Sequence, residues 1–225
     1  MPKSISKLKN NINNNYYKAY EKRYRQVYEH NYLWSSKEPT PEVIETINNE
    51  NILINSKILE LGCGEGRDAI FLLNKNYNVT AIDYSNTVIK KCKELSNYKY
   101  NDKFKQLDII NDTLKDTFDF IYSVAVIHMF VNETHRKKFY SFIYEHLKTN
   151  GRVNLNVGET ITLDVGTRMS EGSELTQDNP FTYEANEEII NTTAKTYKIV
   201  GIIERPATNI ESYQAPGYTF ITCVN

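Results

Sequence analysis

The stretch ILELGCGEGRDAIFLLNKNYNVTAID, residues 58–83, constrains the fold more than any other part of the chain. A short apolar run leads into Gly62, Gly64 and Gly66, an amphipathic segment follows, and a second apolar run ends on Asp83. Strand, glycine loop, helix and strand in that order begin a parallel sheet, because parallel neighbours need a crossover between them, usually helical. Ligands of open parallel sheets bind at the carboxyl ends of the strands, where these glycines fall. Without Cβ atoms the loop can turn sharply and let a ligand lie against it, while free N–H groups at the helix start favour an anionic group.

The same alternation continues. KILEL, NVTAID, FKQLDI, FDFIYSVAV and RVNLNV read as strands, the last introduced by a TNG turn. RDAIFLLNK, NTVIKKCKEL and NETHRKKFYSFIYEHLK read as helices between them, with Ser85 capping the second and Val88, Cys92 and Leu95 on one face of it. Phe139, Phe142, Ile143, His146 and Leu147 have helical spacing. The pattern predicts an α/β fold, a doubly wound, mainly parallel sheet with helices on both sides. A helix over 186–194 and two strands, YKIVGIIE and YTFITCV, pairing as an antiparallel hairpin with a long connection, are expected after it. The chain divides into an N-terminal helical extension, 1–40, and one domain, 41–225.

Composition narrows the function classes. With 40% hydrophobic residues and no apolar run near the roughly 20 residues a membrane span needs, the chain is expected to be soluble and to have no membrane partner. MPKSISKLKNNINNN has no apolar core behind its basic residues, so a cytoplasmic location is expected. A net charge of -1 gives no electrostatic case for nucleic acid, and a small-molecule partner fits better. Cys63, Cys92 and Cys223 have no metal-ligand spacing and read as buried small hydrophobes; no metal is expected, and a monomer or homodimer is.

Tyr16, Tyr20, Tyr24, Tyr28 and Tyr32 are each four apart and are followed by Trp34. Four residues overshoot a helical turn by about 40°, so the stripe must wind around a helix. It either docks that helix or forms a lid whose rings face a cationic ligand, with Tyr28, Tyr32 and Trp34 on the substrate side. Pro39 and Pro41 break this helix and launch another.

Asp83 ends the second strand about 20 residues beyond the first glycine, where a carboxylate accepts ribose hydroxyls. Asp108 ends the third strand, placed for an adenine amino group, with the Ile109 N–H beside it. A dinucleotide fingerprint would need a third glycine where Arg67 stands. The spacing is instead Glu-x-Gly-x-Gly-x-Gly from Glu60 to Gly66. This resembles motif I of class I S-adenosylmethionine-dependent methyltransferases, and Asp83, Asp108 and FDFIYS resemble that family's later motifs. LGCGEGRDAIFL, FDFIYSVAVIHMF and NPFTYEANEEI are similar to the tellurite-resistance and thiopurine-methyltransferase-like members, although ERPATNIESY lacks the Gly-Glu-Leu-His run of the former.

The resemblance implies a Rossmann-like seven-stranded sheet in the order 3-2-1-4-5-7-6, last strand antiparallel. It implies S-adenosylmethionine as cofactor, held by Glu60, Gly62, Gly64, Gly66, Arg67, Asp83, Tyr84, Asp108, Ile109 and Ser123. His128, just past the fourth strand, is a candidate general base or a packing histidine; Arg67 meets a cofactor carboxylate, an anionic substrate or only solvent. Glu133, His135 and His146 read as helix-cap and helix-surface residues, and DNPF at 178–181 as a loop. The expected reaction is methyl transfer to a small acceptor, including soft thiol, selenol or tellurium nucleophiles. A macromolecular methyltransferase, a nicotinamide oxidoreductase and a non-catalytic binding protein remain alternatives.

Overall fold

The structure, a computed structural model, describes residues 16–130, 132–157, 198–205, 208–210, 213–215 and 218–224. A 3-10 turn at Tyr16–Lys18 leads into α1 (Ala19–Glu29), and α2 (Pro41–Asn49) precedes the sheet. Then come β1 (Lys57–Leu61), α3 (Arg67–Asn74), β2 (Asn78–Asp83), α4 (Asn86–Leu95) and β3 (Phe104–Gln106). β4 (Phe118–Ser123), α5 (Glu133–His146) and β5 (Leu147–Val157) follow, then β6 (Lys198–Arg205), β7 (Thr208–Ile210), β8 (Tyr213–Ala215) and β9 (Tyr218–Val224). The main sheet is ordered β3-β2-β1-β4-β5-β9-β6, parallel from β3 to β5, with β9 antiparallel to both its neighbours. β7 and β8 form a separate antiparallel pair.

The mainly parallel α/β sheet expected from the sequence is thus present, and its packing explains the long apolar strands. On β1 and β4, Ile58, Phe120 and Tyr122 face one side, with α2, α3 and α4 contributing Val43, Ala69, Leu72, Val88 and Cys92. Leu59, Leu61 and Ile121 face the other side, covered by Phe139, Phe142 and Ile143 of α5 and by Tyr16 and Tyr17. Strands buried on both faces lose the polar alternation of an exposed sheet. Polar links join α2 to the sheet: buried Asn154 donates to Thr46 and Thr222, each at 2.9 Å, and Arg152 donates to Glu50 at 2.7 Å.

Several boundaries differ from expectation. The tyrosine helix stops at Glu29, and Asn31 takes a left-handed φ of 57°, so Tyr32 and Trp34 lie beyond it. β3 ends at Gln106 because the Asp108 carbonyl accepts from the N–H groups of Asn111 and Asp112, at 2.9 and 2.7 Å, which turns the chain. β4 ends at Ser123, with Ala125 at φ 57°. β5 begins at Leu147 and absorbs the expected TNG turn in a register shift, with Asn150 at φ 61°. Leu95, at the end of α4, is 41% exposed instead of packed. His135 and His146 are buried, not on the surface. Leu114 N–H donates to His146 Nε2 at 3.0 Å, which leaves Nδ1 to donate to the Phe142 carbonyl at 2.6 Å. His135 Nδ1 lies 3.1 Å from the Tyr16 hydroxyl, and burial pushes its pKa down. The expected helix over 186–194 and the 158–184 connection lie outside the described residues.

Candidate functional site

A cavity of about 350 Å³ lies at the carboxyl ends of β1, β2, β3 and β4. Its volume is that of a small-molecule site, roughly 300 to 1,000 Å³. Gly62, Gly64 and Gly66 all take left-handed φ, of 67°, 52° and 74°. Only glycine adopts such angles without strain. A Cβ at Gly62 would collide with Val126, and one at Gly66 would lie 3.0 Å from Phe104 and 3.1 Å from Cys92. Those two glycines therefore make room for the protein's own side chains, Val126 at the cavity and Phe104 and Cys92 in the core, whereas a Cβ at Gly64 would meet only the Tyr24 hydroxyl, at 3.2 Å.

Asp83 joins the loop to β2. Its Oδ2 accepts from Gly64 N–H at 3.0 Å and its Oδ1 from Ser85 N–H at 2.8 Å. Burial pushes its pKa up to about 6 against those two hydrogen bonds, with the charge of Glu21 adding to the rise. Glu21 itself, on α1, accepts from Ser85 Oγ, Thr87 Oγ1 and Thr87 N–H at 2.6, 2.6 and 3.2 Å. It thereby caps α4 from outside, while Ser85 Oγ accepts from Val88 N–H as the expected N-cap.

Glu60 is buried on the cavity floor, and its Oε2 makes no hydrogen bond among the described residues. Desolvation and neighbouring Asp68 push its carboxyl well above the usual range. At the opposite end, Asp108 accepts from Tyr17 Oη, Ile110 N–H and Asn111 Nδ2, with Lys18 Nζ at 3.8 Å. Tyr84 and Ile109 also line the cavity.

Of the expected lid residues, Trp34 lines the cavity, but Tyr28 and Tyr32 do not, and Tyr32 is 71% exposed. The winding of the stripe is the reason: it brings Tyr20 and Tyr24 round to the cavity, joined by Tyr17 from the preceding turn. Trp34 stacks on Tyr20 at 6.1 Å and tilts against Tyr24 at 5.3 Å, while Arg23 covers its ring at 4.5 Å. Ser123 is also displaced from its expected role: it is buried, and its hydroxyl donates to the Leu61 carbonyl at 3.3 Å inside the sheet. Gly66 stands behind the lining. His128 falls on the 3-10 turn Ile127–Met129, and its side chain is outside the described residues.

Arg67 lines the cavity, but its donors are already engaged by Asp68 at 3.0 Å, Ser36 at 3.2 Å and Thr40 Oγ1. Sequence reasoning missed Tyr17, Tyr20, Tyr24, Glu65 and Asp68 as lining residues. The four-residue tyrosine spacing was a partial signal, and nothing local marks the two acids. Among the described residues no cluster of metal-ligating side chains occurs, and no helix is long and apolar enough to cross a membrane.

Comparison with known proteins agrees with this geometry. The family model described as tellurite resistance protein TehB matches residues 25–199. A probable S-adenosyl-L-methionine-dependent methyltransferase TehB of Haemophilus influenzae is 29% identical over 124 residues, 54% of this chain and 42% of the relative. The chain thus spans less than half the length of the curated relatives it matches. Among solved structures, 1,6-didemethyltoxoflavin-N1-methyltransferase of Burkholderia thailandensis, with bound 1,6-didemethyltoxoflavin and S-adenosylhomocysteine, is similar at a TM-score of 0.68 and 14% identity. That likeness covers 100% of this chain and 92% of the other. TehB from Haemophilus influenzae is similar at a TM-score of 0.59 and 19% identity, over 85% of this chain and 64% of that one. At such identities the structures speak for the fold, a Rossmann-like methyltransferase fold.

Proposed function

Because this chain belongs to the TehB tellurite resistance family, we propose that it transfers a methyl group from S-adenosylmethionine to a small-molecule acceptor. The observation that carries this reading is Asp83 anchored to the glycine loop at the edge of a cavity suited to one nucleoside with an amino-acid tail. The sheet order, with β9 between β5 and β6, supports the class I arrangement.

In this reading Asp83 accepts the ribose hydroxyls, and Asp108 with the Ile109 N–H meets the adenine edge beside Tyr84. Buried Glu60 fits the ammonium of the tail, because a nearby cation restores the charge that burial suppresses. Gly64 lets the tail lie against backbone, and Arg67 faces its carboxylate only by sharing the guanidinium with Asp68. The cofactor supplies an electrophilic methyl on a sulfonium. The chain's own contribution is orientation and exclusion of water by Tyr20, Tyr24 and Trp34, the lid of the 1–40 extension. A soft nucleophile that is already ionised, such as a thiolate, selenolate or tellurium anion, needs no protein base. For an acceptor that must lose a proton, His128 is the candidate base.

Calorimetry with S-adenosylmethionine, S-adenosylhomocysteine and NAD tests the cofactor, and a methyl-transfer screen over thiol, selenol, amine and chalcogen-oxyanion acceptors, read by product mass, tests the reaction. Binding of the two sulfur nucleosides without NAD, followed by a mass increase of one methyl group, is expected. Preferential NAD binding overturns the reading, and cofactor binding without transfer to any acceptor reduces it to a binding protein.

A further inference from the structure

Residues 34–40 lie between α1 and α2, Trp34 and Ser35 line the cavity, and two acids that sequence reasoning passed over fasten the segment to the glycine loop and the first turn of α3. Glu65, between Gly64 and Gly66, is only 3% exposed. Its Oε1 accepts from Trp34 N–H at 2.9 Å, and its Oε2 accepts from Ser35 N–H at 2.7 Å and Ser35 Oγ at 2.6 Å. Asp68, one turn later, accepts from Thr40 N–H at 2.6 Å and Thr40 Oγ1 at 2.8 Å, and Arg67 adds Ser36. The strap is therefore fastened at both ends by motif residues in addition to the ring contacts of Trp34, which is still 40% exposed.

We propose that Glu65 is a positioning residue that sets Trp34 as the wall over the bound cofactor and slows the cofactor's escape. A buried carboxylate with three donors holds a fixed geometry, because each bond lost would leave charge uncompensated. The two donating N–H groups belong to adjacent residues, so the carboxylate fixes both peptide planes flanking the Cα from which the indole projects. The indole then closes against Tyr20 and Tyr24, which line the same cavity. The glycine loop that would contact the cofactor and the wall that would cover it thus share one side chain. This inference rests on the cofactor assignment above for its kinetic half; the placement of Trp34 stands without it.

The chain contains one tryptophan, so fluorescence excited at the red edge, where its 17 tyrosines do not absorb, reports this wall alone. Glu65→Ala, Glu65→Gln and Ser35→Ala are compared with the native full chain by acrylamide quenching of Trp34, circular dichroism and the release rate of S-adenosylhomocysteine. Glu65→Ala is expected to raise the quenching constant of the ligand-free protein about two- to threefold with unchanged helicity, and to speed release of S-adenosylhomocysteine from the loaded protein about tenfold. Glu65→Gln, with one acceptor oxygen instead of two, falls between, and Ser35→Ala, which deletes one bond from an exposed loop and leaves the core untouched, gives a smaller shift in the same direction. A folded Glu65→Ala with native quenching and native release overturns the proposal. Should Glu65→Ala fail to fold, native values for both Glu65→Gln and Ser35→Ala overturn it equally. Absence of ligand binding to the native chain would count against the proposed function, while the quenching comparison would still decide where Glu65 holds Trp34.

Discussion

The hydroxyl of Tyr17 donates to Asp108 Oδ2 at 2.9 Å, across the end of the cavity where an adenine would lie. Ile110 N–H and Asn111 Nδ2 donate to the same carboxylate and Lys18 Nζ lies 3.8 Å from it, so few of its lone pairs stay open. An adenine amino group can reach Asp108 only by displacing or sharing Tyr17. Tyr17→Phe is therefore expected to tighten S-adenosylhomocysteine about three- to tenfold, and Asp108→Asn to weaken it. Calorimetry on the two variants checks this; equal or weaker binding by Tyr17→Phe would remove the competition.

Asp83 is expected to make ligand binding pH-dependent. Its pKa is raised to about 6 in the folded chain, so between the ordinary carboxylate value and 6 the fold holds a proton that the unfolded chain does not. Lowering the pH through this window favours folding through this group. Ribose hydroxyls need the charged acceptor, so the same change weakens binding, by up to about tenfold per pH unit below 6. Asp83→Asn is expected to bind about 1.5 to 3 kcal/mol more weakly near neutral pH and to lose this dependence. Titrations from pH 5 to 8 on both proteins test it, and a native profile that stays flat would contradict the assignment.

Glu21 behaves in the opposite sense. Burial works to raise its carboxyl, but the bonds from Ser85, Thr87 and Arg25 outweigh it and hold the pKa at about 2. The unfolded chain takes up a proton near the ordinary 4.5 while the folded chain resists, so this contribution is complete above 4.5 and is lost as the pH falls toward 2. Glu21→Gln should cost about 1 to 2 kcal/mol at pH 7, because it uncaps α4 and loosens α1. The gap from the native chain should narrow progressively below pH 4.5, read as Tm against pH. A constant gap down to pH 3 would mean that Glu21 stabilises by packing alone.

The glycine loop and the ends of β1 and β2 were legible because local rules fix them. A buried strand followed by Gly62, Gly64 and Gly66 has few alternatives, and Asp83 comes from the next strand in the same unit. The helix stop at Glu29 was not legible, since only the left-handed turn at Asn31 marks it. Neither was the route of the tyrosine stripe, which depends on where α1 docks on α4 through Glu21. His135 and His146 carry polar rings that local patterning assigns to solvent, but their partners, Tyr16 and Leu114, come from distant segments. Ser123 was misplaced for a related reason: a serine at a strand end can turn either way, and here the Leu61 carbonyl captures it. Glu65 and Asp68 look like loop acids until the chain from Trp34 to Thr40 is laid over them.

The three glycines should not be equivalent to alanine substitution. Each has a left-handed φ, which costs an alanine about 1 to 2 kcal/mol. At Gly62 the new methyl would also drive into Val126, and at Gly66 it would press on Phe104 and Cys92, both deep in the core. Such overpacking adds about 1 to 3 kcal/mol. Gly62→Ala and Gly66→Ala are therefore expected to lower Tm by about 5 to 15 °C in a chain of this size. Gly64→Ala has only the Tyr24 hydroxyl before it, at 3.2 Å, so its loss of stability should stay near the strain alone. Its methyl instead enters the cavity beside Asp83 and displaces Tyr24, and the main effect should be on S-adenosylhomocysteine affinity. Scanning calorimetry with and without ligand separates the two effects. If Gly64→Ala proved the most destabilising of the three while binding normally, the loop would have a structural role at its centre and the ligand would have to lie elsewhere.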